Sequence, residues 1–66
     1  SIDKRLRDLR LEKNLTQKQV AEQLKISPTC YSGYEQGYRE PDIKMIIKIC
    51  KFFDVSADYL LGLKDE

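Results

Sequence analysis

The sequence predicts an all-α fold, a compact domain of five short helices, and three observations support it. Apolar residues recur at spacings of three and four, the helix period, and no segment shows the alternation typical of a β-strand. A Ser, Thr or Asp stands before most of these segments, where N-caps are found. The chain has 66 residues, 41% of them hydrophobic, which suffices for one small core. We therefore treat residues 1–66 as a single domain.

The first two helices are indicated by apolar spacing and by a capping box. The helix period appears first in Ile2, Leu6 and Leu9. This predicts a helix from residue 2 to about residue 13 that ends at Asn14, a residue that tolerates the left-handed conformation. Thr16 and Gln19 then form a Thr-x-x-Gln capping box, which starts the second helix. The residues that this helix is expected to bury are Val20, Ala21 and Leu24.

The third helix follows after a turn at residues 25–27. Ser27 is expected to cap it, Pro28 takes its first position, and Gly37 closes it as a C′ residue. Tyr31 and Tyr34 lie one turn apart and are expected to face the core, with their hydroxyls at its rim. The residues expected to point outward are Thr29, Ser32, Gly33 and Gln36. Two short helices and their turn, at about residues 17–36, thus form a helix-turn-helix.

The last two helices are indicated by further caps and an apolar stripe. Asp42 follows a loop at residues 38–42 and caps the fourth helix, and Ser56 caps a short fifth helix that ends at Gly62. Val55 between them is expected to turn inward, and Leu60 and Leu61 lie in the fifth helix. The residues expected to form the buried stripe of the fourth helix are Ile43, Ile46, Ile49, Cys50 and Phe53.

Composition argues against several classes of function. The chain has no histidine, and Cys30 and Cys50 stand alone without a CxxC pattern, so we expect no metal site and no serine-hydrolase chemistry. We therefore expect no enzymatic activity, no catalytic residues and no cofactor. No apolar run approaches about 18 residues and no signal-like segment is present, so we expect no membrane partner and a cytoplasmic location. The net charge of +1 does not by itself argue for nucleic-acid binding.

Taken in register, the chain resembles the DNA-binding domain of phage lambda-type repressors and Cro, the XRE-type helix-turn-helix family. The resemblance covers nearly the whole chain. The residues that carry it are Arg10, Thr16-Gln17, Ala21, Ser27, Tyr34-Glu35-Gln36-Gly37, Arg39-Glu40-Pro41 and Val55-Ser56-Ala57-Asp58-Tyr59-Leu60-Leu61-Gly62. It implies a sequence-specific transcriptional regulator of double-stranded DNA, with repression as the expected activity. Two copies would bind a palindromic operator, with each third helix in a major groove about 34 Å from the other.

The resemblance also implies which residues contact DNA. At the start of the second helix these are Thr16, Gln17 and Lys18, with the Gln17 side chain and backbone N–H on a phosphate. On the third helix they are Ser27, Pro28, Thr29, Cys30, Ser32 and Gly33, of which Pro28, Thr29 and Gly33 meet base edges. Beyond that helix they are Gln36, Tyr38 and Arg39, which grip the sugar-phosphate backbone. Arg10 and Glu35 match a buried charge pair that fixes how the first and third helices meet.

Two positions depart from the family pattern. Lys25 stands where the turn often has Gly, so a left-handed backbone there would cost about 1 kcal/mol or be avoided. Gly33 stands where a long polar side chain is common, and glycine cannot donate a side-chain hydrogen bond to a base. We therefore predict thin direct readout, supplemented by water and DNA shape. The missing side chain at Gly33 lets the helix approach the bases more closely or lets Tyr38 or Arg39 reach in, and the sequence does not decide between these.

The expected dimer surface is the C-terminal part, where the apolar candidates are Tyr59, Leu61 and Leu63. The alternative function is an antitoxin-like or accessory protein-interaction module on the same scaffold. The near-neutral charge and the weak polar face of the third helix favour that alternative slightly. The salt dependence of binding to duplex DNA distinguishes the two, because only phosphate contacts release counterions.

Overall fold

The computed structural model describes residues 2–65 and contains five α-helices in that range. The helices are α1 (Ile2–Glu12), α2 (Gln17–Leu24), α3 (Pro28–Gln36), α4 (Ile43–Phe53) and α5 (Ala57–Leu60). No strand occurs among these residues, so the prediction of an all-α domain is confirmed. The end of α1 falls one residue before the predicted position, and no helix of the described range is long and apolar enough to cross a membrane.

Four of the helices begin at a side chain that closes on the backbone three residues later. The cap pairs are Thr16 with Gln19, Ser27 with Cys30, Asp42 with Met45, and Ser56 with Tyr59. At Thr16 the capping box is complete, because the Gln19 side chain also accepts from the Thr16 N–H at 2.8 Å. All four predicted caps are therefore confirmed. Each satisfies an N–H group that would otherwise lack a partner within its helix.

The left-handed residues mark where the helices end. They are Asn14, Lys25, Gly37, Asp54 and Gly62. Lys25 adopts φ 60° and ψ 43° although we expected that conformation to be costly there. The conformation lets Ile26 donate its N–H to the Ala21 carbonyl at 3.0 Å, and the Lys48 ammonium donates to the Leu24 carbonyl. These bonds satisfy carbonyls at the end of α2, which offsets the strain of a left-handed lysine.

The core contains residues from every helix: Leu6, Leu9, Val20, Ala21, Leu24, Tyr31, Tyr34, Ile49, Phe53 and Leu60. The prediction for α4 is partly wrong, because Ile43 is 76% exposed. It stands in the first turn of α4, which projects beyond the core. Ile46 and Cys50 are half-buried against the core, and Leu61 is exposed. The prediction for Tyr31 also needs correction, because its hydroxyl is buried and not at the rim.

Helix α3 lies at the centre of the packing that matters for function. It packs against both α1 and α2, while α4 packs against α2 and α5, and α5 returns to α1. Because α3 is held on one side by two helices, its opposite side faces outward. The molecule measures 28 × 23 × 19 Å along its principal axes.

Candidate nucleic-acid interface

The start of α2 and the outer side of α3 form the surface on which the predicted contact residues lie. Most of these residues are exposed: Thr16, Lys18, Ser27, Pro28, Thr29, Gln36, Tyr38 and Arg39. Gln17, Cys30 and Ser32 are half-buried, and Gly33 is buried. Gly33 lies on the outer side of α3, where it was expected, but another side chain covers it.

One shallow groove collects the larger part of the predicted set. It is lined by Pro28, Thr29, Ser32, Gly33, Gln36, Tyr38 and Arg39. No carboxylate lines it, and Arg39 is its single charged residue. Thr16, Gln17, Lys18, Ser27 and Cys30 do not line this groove. A groove of this composition tolerates the phosphate oxygens of a nucleic acid, because it contains no negative charge to repel them.

The side chain of Arg39 covers Gly33. A Cβ atom placed on Gly33 would lie 3.1 Å from both Cγ and Cδ of Arg39. The segment after α3 folds back to reach this position, since the N–H groups of Tyr38 and Arg39 both donate to the Gly33 carbonyl, at 2.9 and 3.2 Å. Gly33 is thus buried by the Arg39 side chain, which fits there because glycine has no side chain of its own.

Behind the groove, a polar cluster of Arg10, Gln17, Tyr31 and Glu35 joins α1, α2 and α3. The Arg10 Nε donates to Glu35 Oε2 at 2.7 Å, and its Nη2 donates to Oε1 at 3.1 Å. The pair is buried as predicted, with 13% of the Arg10 side chain and 3% of the Glu35 side chain exposed. Arg10 also donates to the Leu15 carbonyl at 3.0 Å, which fixes the chain just before the cap of α2. The cluster therefore sets the angle at which α3 is presented.

The side chain of Gln17 bonds to α3, a contact that the sequence did not predict. Its Nε2 donates to Glu35 Oε1 at 3.1 Å, so the side chain is already oriented by α3. Gln17 is also the first residue of α2, where backbone N–H groups point away from the helix. One hydrogen of the amide remains for another acceptor. Gln17 thus couples a helix N-terminus to the buried ion pair.

Protonation equilibria in the polar cluster favour the ion pair. Burial alone would raise the pKa of Glu35, but the hydrogen bonds from Arg10 and Gln17 and the positive charge of Arg10 outweigh it and lower the pKa below the ordinary value. The hydrogen bond with Glu35 raises the pKa of Arg10, against the opposing effect of its burial. Burial raises the pKa of Tyr31, so its phenol stays protonated. The Tyr31 hydroxyl lies outside strict hydrogen-bond geometry, yet it is near enough to act on the carboxylate.

The outer surface of α3 carries one internal hydrogen bond. Gln36 Nε2 donates to Ser32 Oγ at 2.7 Å, across one helical turn. This bond occupies part of the hydrogen-bonding capacity of Gln36 and orients the Ser32 hydroxyl. Thr29 and Pro28 remain open at the other end of the groove. The side chains of α3 itself therefore offer few donors to a base edge.

The C-terminal side of the domain exposes apolar residues. Ile43, Ile46 and Leu61, here called the apolar surface, border two adjoining grooves that share Pro41. Leu61 is 46% exposed, and the neighbouring Leu63 is 72% exposed. Tyr59 is half-buried. The guanidinium of Arg5 lies 4.4 Å from the centre of the Tyr59 ring and donates to the Tyr59 carbonyl. Tyr59 is thus already partnered within the chain, unlike the exposed leucines.

Comparison with known proteins places this geometry in a family. A helix-turn-helix family model matches residues 6–60. The chain belongs to the XRE-type helix-turn-helix family of DNA-binding regulators.

Two curated relatives and one solved structure give the degree of similarity. The chain is 46% identical over 66 residues to the HTH-type transcriptional regulator ImmR of Bacillus subtilis, covering 100% of this chain and 51% of the relative. It is 35% identical over 58 residues to the cryptic phage CTXphi transcriptional repressor RstR of Vibrio cholerae, covering 88% of this chain and 52% of the relative. A transcriptional regulator from Listeria innocua superposes with a TM-score of 0.90 at 30% identity, over 100% of this chain and 62% of that structure. The chain spans about half the length of these curated relatives.

The structure brings no set of three or more metal-binding side chains together among residues 2–65. The burial of Cys50 raises the pKa of its thiol, which keeps it protonated. A buried, protonated thiol is a poor nucleophile and a poor metal ligand.

Proposed function

We propose that this chain is the DNA-binding part of a transcriptional repressor, which binds a palindromic operator as a homodimer with α3 in the major groove. The observation that carries the proposal is the groove along α3, which is lined by one positively charged side chain, Arg39, and by no carboxylate. The family membership and the relative named a repressor support it. A regulator of this kind acts where the chromosome is, in the cytoplasm.

The contacts divide into two kinds. Backbone N–H groups at the start of α2, together with Gln17, Thr16 and Lys18, are suited to phosphate oxygens on one side of the groove. Ser27, Pro28 and Thr29 lie at the start of α3, which enters a major groove end-on in this family of folds. Cys30 and Ser32 flank that end. The first set positions the domain, and the second meets the bases.

The apolar surface supports pairing with a second copy. A single domain of this size makes few phosphate contacts, and joining two copies raises the affinity without new contacts per copy. Leu61 and Leu63 of the predicted dimer residues are exposed and suited to this role. Tyr59 is partnered with Arg5 and is the least suited of the three.

Selection of bound sites from random duplex DNA tests the proposal. We expect enrichment of a palindrome and a binding constant that falls steeply with salt, because several phosphate contacts release counterions. Thr29→Ala should change the preferred sequence, while Gln17→Ala should weaken all sequences alike. Absence of both enrichment and salt-dependent binding would overturn the proposal. It would then favour the antitoxin-like or accessory module, which needs no phosphate contacts.

The dimer has a separate test. Analytical ultracentrifugation on a duplex with two half-sites and on one with a single half-site measures the stoichiometry. We expect two copies on the full site, and we expect Leu61→Lys to leave single half-site binding intact while weakening the full site. If Leu61→Lys binds the full site as tightly as wild type does, Leu61 does not contribute to pairing.

A further inference from the structure

We propose that Arg39, which lies outside α3, is the residue that recognises a guanine in the major groove. We further propose that the missing side chain of Gly33 makes room for the Arg39 stem across α3. This inference rests on the proposed function. It assigns to the segment after α3 a reading role that the family resemblance gives to backbone contact alone.

The first observation is the lack of readers on α3 itself. Pro28 has no side-chain donor, and Thr29 has a single hydroxyl. Gln36 donates to Ser32 at 2.7 Å, so its amide is partly engaged. None of these side chains is a cationic donor of the kind that most often contacts guanine N7 and O6.

The second observation is a glycine without a backbone reason. Gly33 lies inside α3, and it is not among the glycines with positive φ. Glycine weakens a helix interior relative to alanine, so this residue carries a cost. The space left by the missing side chain is occupied by the stem of Arg39, since a Cβ atom on Gly33 would lie 3.1 Å from Cγ and Cδ of that arginine.

The third observation is the state of the guanidinium. Arg39 is exposed and makes no ion pair or side-chain hydrogen bond with any residue in the range 2–65. Its backbone is fixed, because the Arg39 N–H donates to the Gly33 carbonyl at 3.2 Å. Its stem crosses the outer side of α3 and borders the same groove as Pro28 and Thr29.

These observations together give a pre-positioned arginine. The stem loses little freedom on binding because it already rests on Gly33, and the free guanidinium carries the planar fork of donors that matches guanine. A lysine would keep the charge and lose the fork. A phosphate contact and a base contact at Arg39 therefore differ in their response to Arg39→Lys.

The test begins with the operator selected by the unaltered chain. Binding of wild type, Arg39→Lys, Gly33→Ala and the control Lys18→Ala is measured on that operator. It is also measured on operators in which each G·C pair in turn is changed to A·T or carries 7-deazaguanine, which lacks N7. We expect wild type to lose about 10-fold or more at one G·C pair per half-site. Arg39→Lys should reduce that preference at the same pair because the planar fork is lost, and Gly33→Ala should reduce it less because its Cβ only shifts the Arg39 stem. Lys18→Ala should keep the preference.

Two further measurements make the result decisive. Both substitutions act on the same contact between Arg39 and guanine. The double variant Gly33→Ala, Arg39→Lys should therefore lose no more discrimination at that pair than Arg39→Lys alone. Thermal unfolding of Gly33→Ala should show an intact and no less stable fold, which separates displacement of Arg39 from unfolding. If Arg39→Lys keeps the full wild-type preference at every G·C pair, Arg39 is a phosphate contact and the inference is overturned. If wild type enriches no sequence, the proposed function itself is overturned.

Discussion

The two sides of this domain are built on opposite principles. The polar cluster behind α3 is nearly closed to solvent, and each of its charges has a partner at hydrogen-bond distance. The apolar surface on the C-terminal side leaves Ile43 76% exposed, with little cover from the rest of residues 2–65. The polar groups of the cluster fix the position of α3, whereas the residues of the apolar surface are left accessible to a second molecule. The comparison teaches that the side proposed to contact DNA is held rigid, while the side proposed to pair is left open.

The largest test of this comparison breaks the polar cluster. Arg10→Met removes the cation and leaves the buried Glu35 carboxylate without a counter-charge, so we expect a loss of about 3–5 kcal/mol in the free energy of unfolding. Chemical denaturation monitored by circular dichroism measures it. The double variant Arg10→Met, Glu35→Leu should recover most of the loss, because no uncompensated charge remains. A loss under about 1 kcal/mol in the single variant would show that the ion pair does not hold the helices.

The second test uses pH on the same cluster. The pKa of Glu35 is lowered in the folded state, so its contribution to stability is present above the ordinary glutamate value of 4.5. The contribution is lost as the pH falls through the lowered pKa, where the folded carboxylate takes up its proton. We expect the stability difference between wild type and Glu35→Gln to shrink as the pH falls below 4.5. Urea denaturation at a series of pH values measures this difference, and a constant difference would contradict the assignment.

A smaller effect is expected in the turn between α2 and α3. Lys25 holds φ 60° without being glycine, so Lys25→Gly should relieve strain and raise stability by about 0.5–1 kcal/mol after the entropy cost of glycine. Asn14→Gly is the matched control, since Asn14 has φ 56° but asparagine tolerates this conformation. Thermal unfolding should show a larger gain at position 25 than at position 14. The reverse order would mean that the left-handed conformation is less strained at Lys25 than at Asn14.

The smallest effect is expected on the open side. Ile43→Lys should change the free energy of unfolding by no more than about 0.5 kcal/mol, because the side chain contacts little in the domain. Ile49→Ala in the same helix is the control and should cost about 2–5 kcal/mol, since Ile49 is fully buried. Denaturant titration of both variants gives the contrast. A large loss at position 43 would show that the apolar surface is part of the core.

The sequence predicted local features well and distances across the chain poorly. The caps at Thr16, Ser27, Asp42 and Ser56 were all predictable, because each depends on residues within one turn. Ile43 was not, because periodicity gives the direction of a side chain on its helix and not how far the neighbouring helices extend. The bond from Lys48 of α4 to the carbonyl of Leu24, next to the left-handed Lys25, was not predictable either, because it joins residues far apart in the sequence.

The candidate site shows the same division. The helix-turn-helix and the pairing of Arg10 with Glu35 followed from the sequence and its family resemblance. The hydrogen bond from Gln17 to Glu35 did not, because a glutamine at the start of a helix has many possible partners. The cover of Gly33 by Arg39 arises where the chain folds back after α3. A pattern of residue types contains no sign of that fold-back beyond the glycine itself.

The four N-caps have a kinetic consequence. Because α2, α3, α4 and α5 each begin with a bond that spans three residues, these bonds do not require distant segments to meet. Little loop-closure entropy has to be lost to define them, and helical domains with such short-range order fold in about microseconds to milliseconds. At that rate, a nascent chain of this kind reaches its folded state soon after its last helix has left the ribosome.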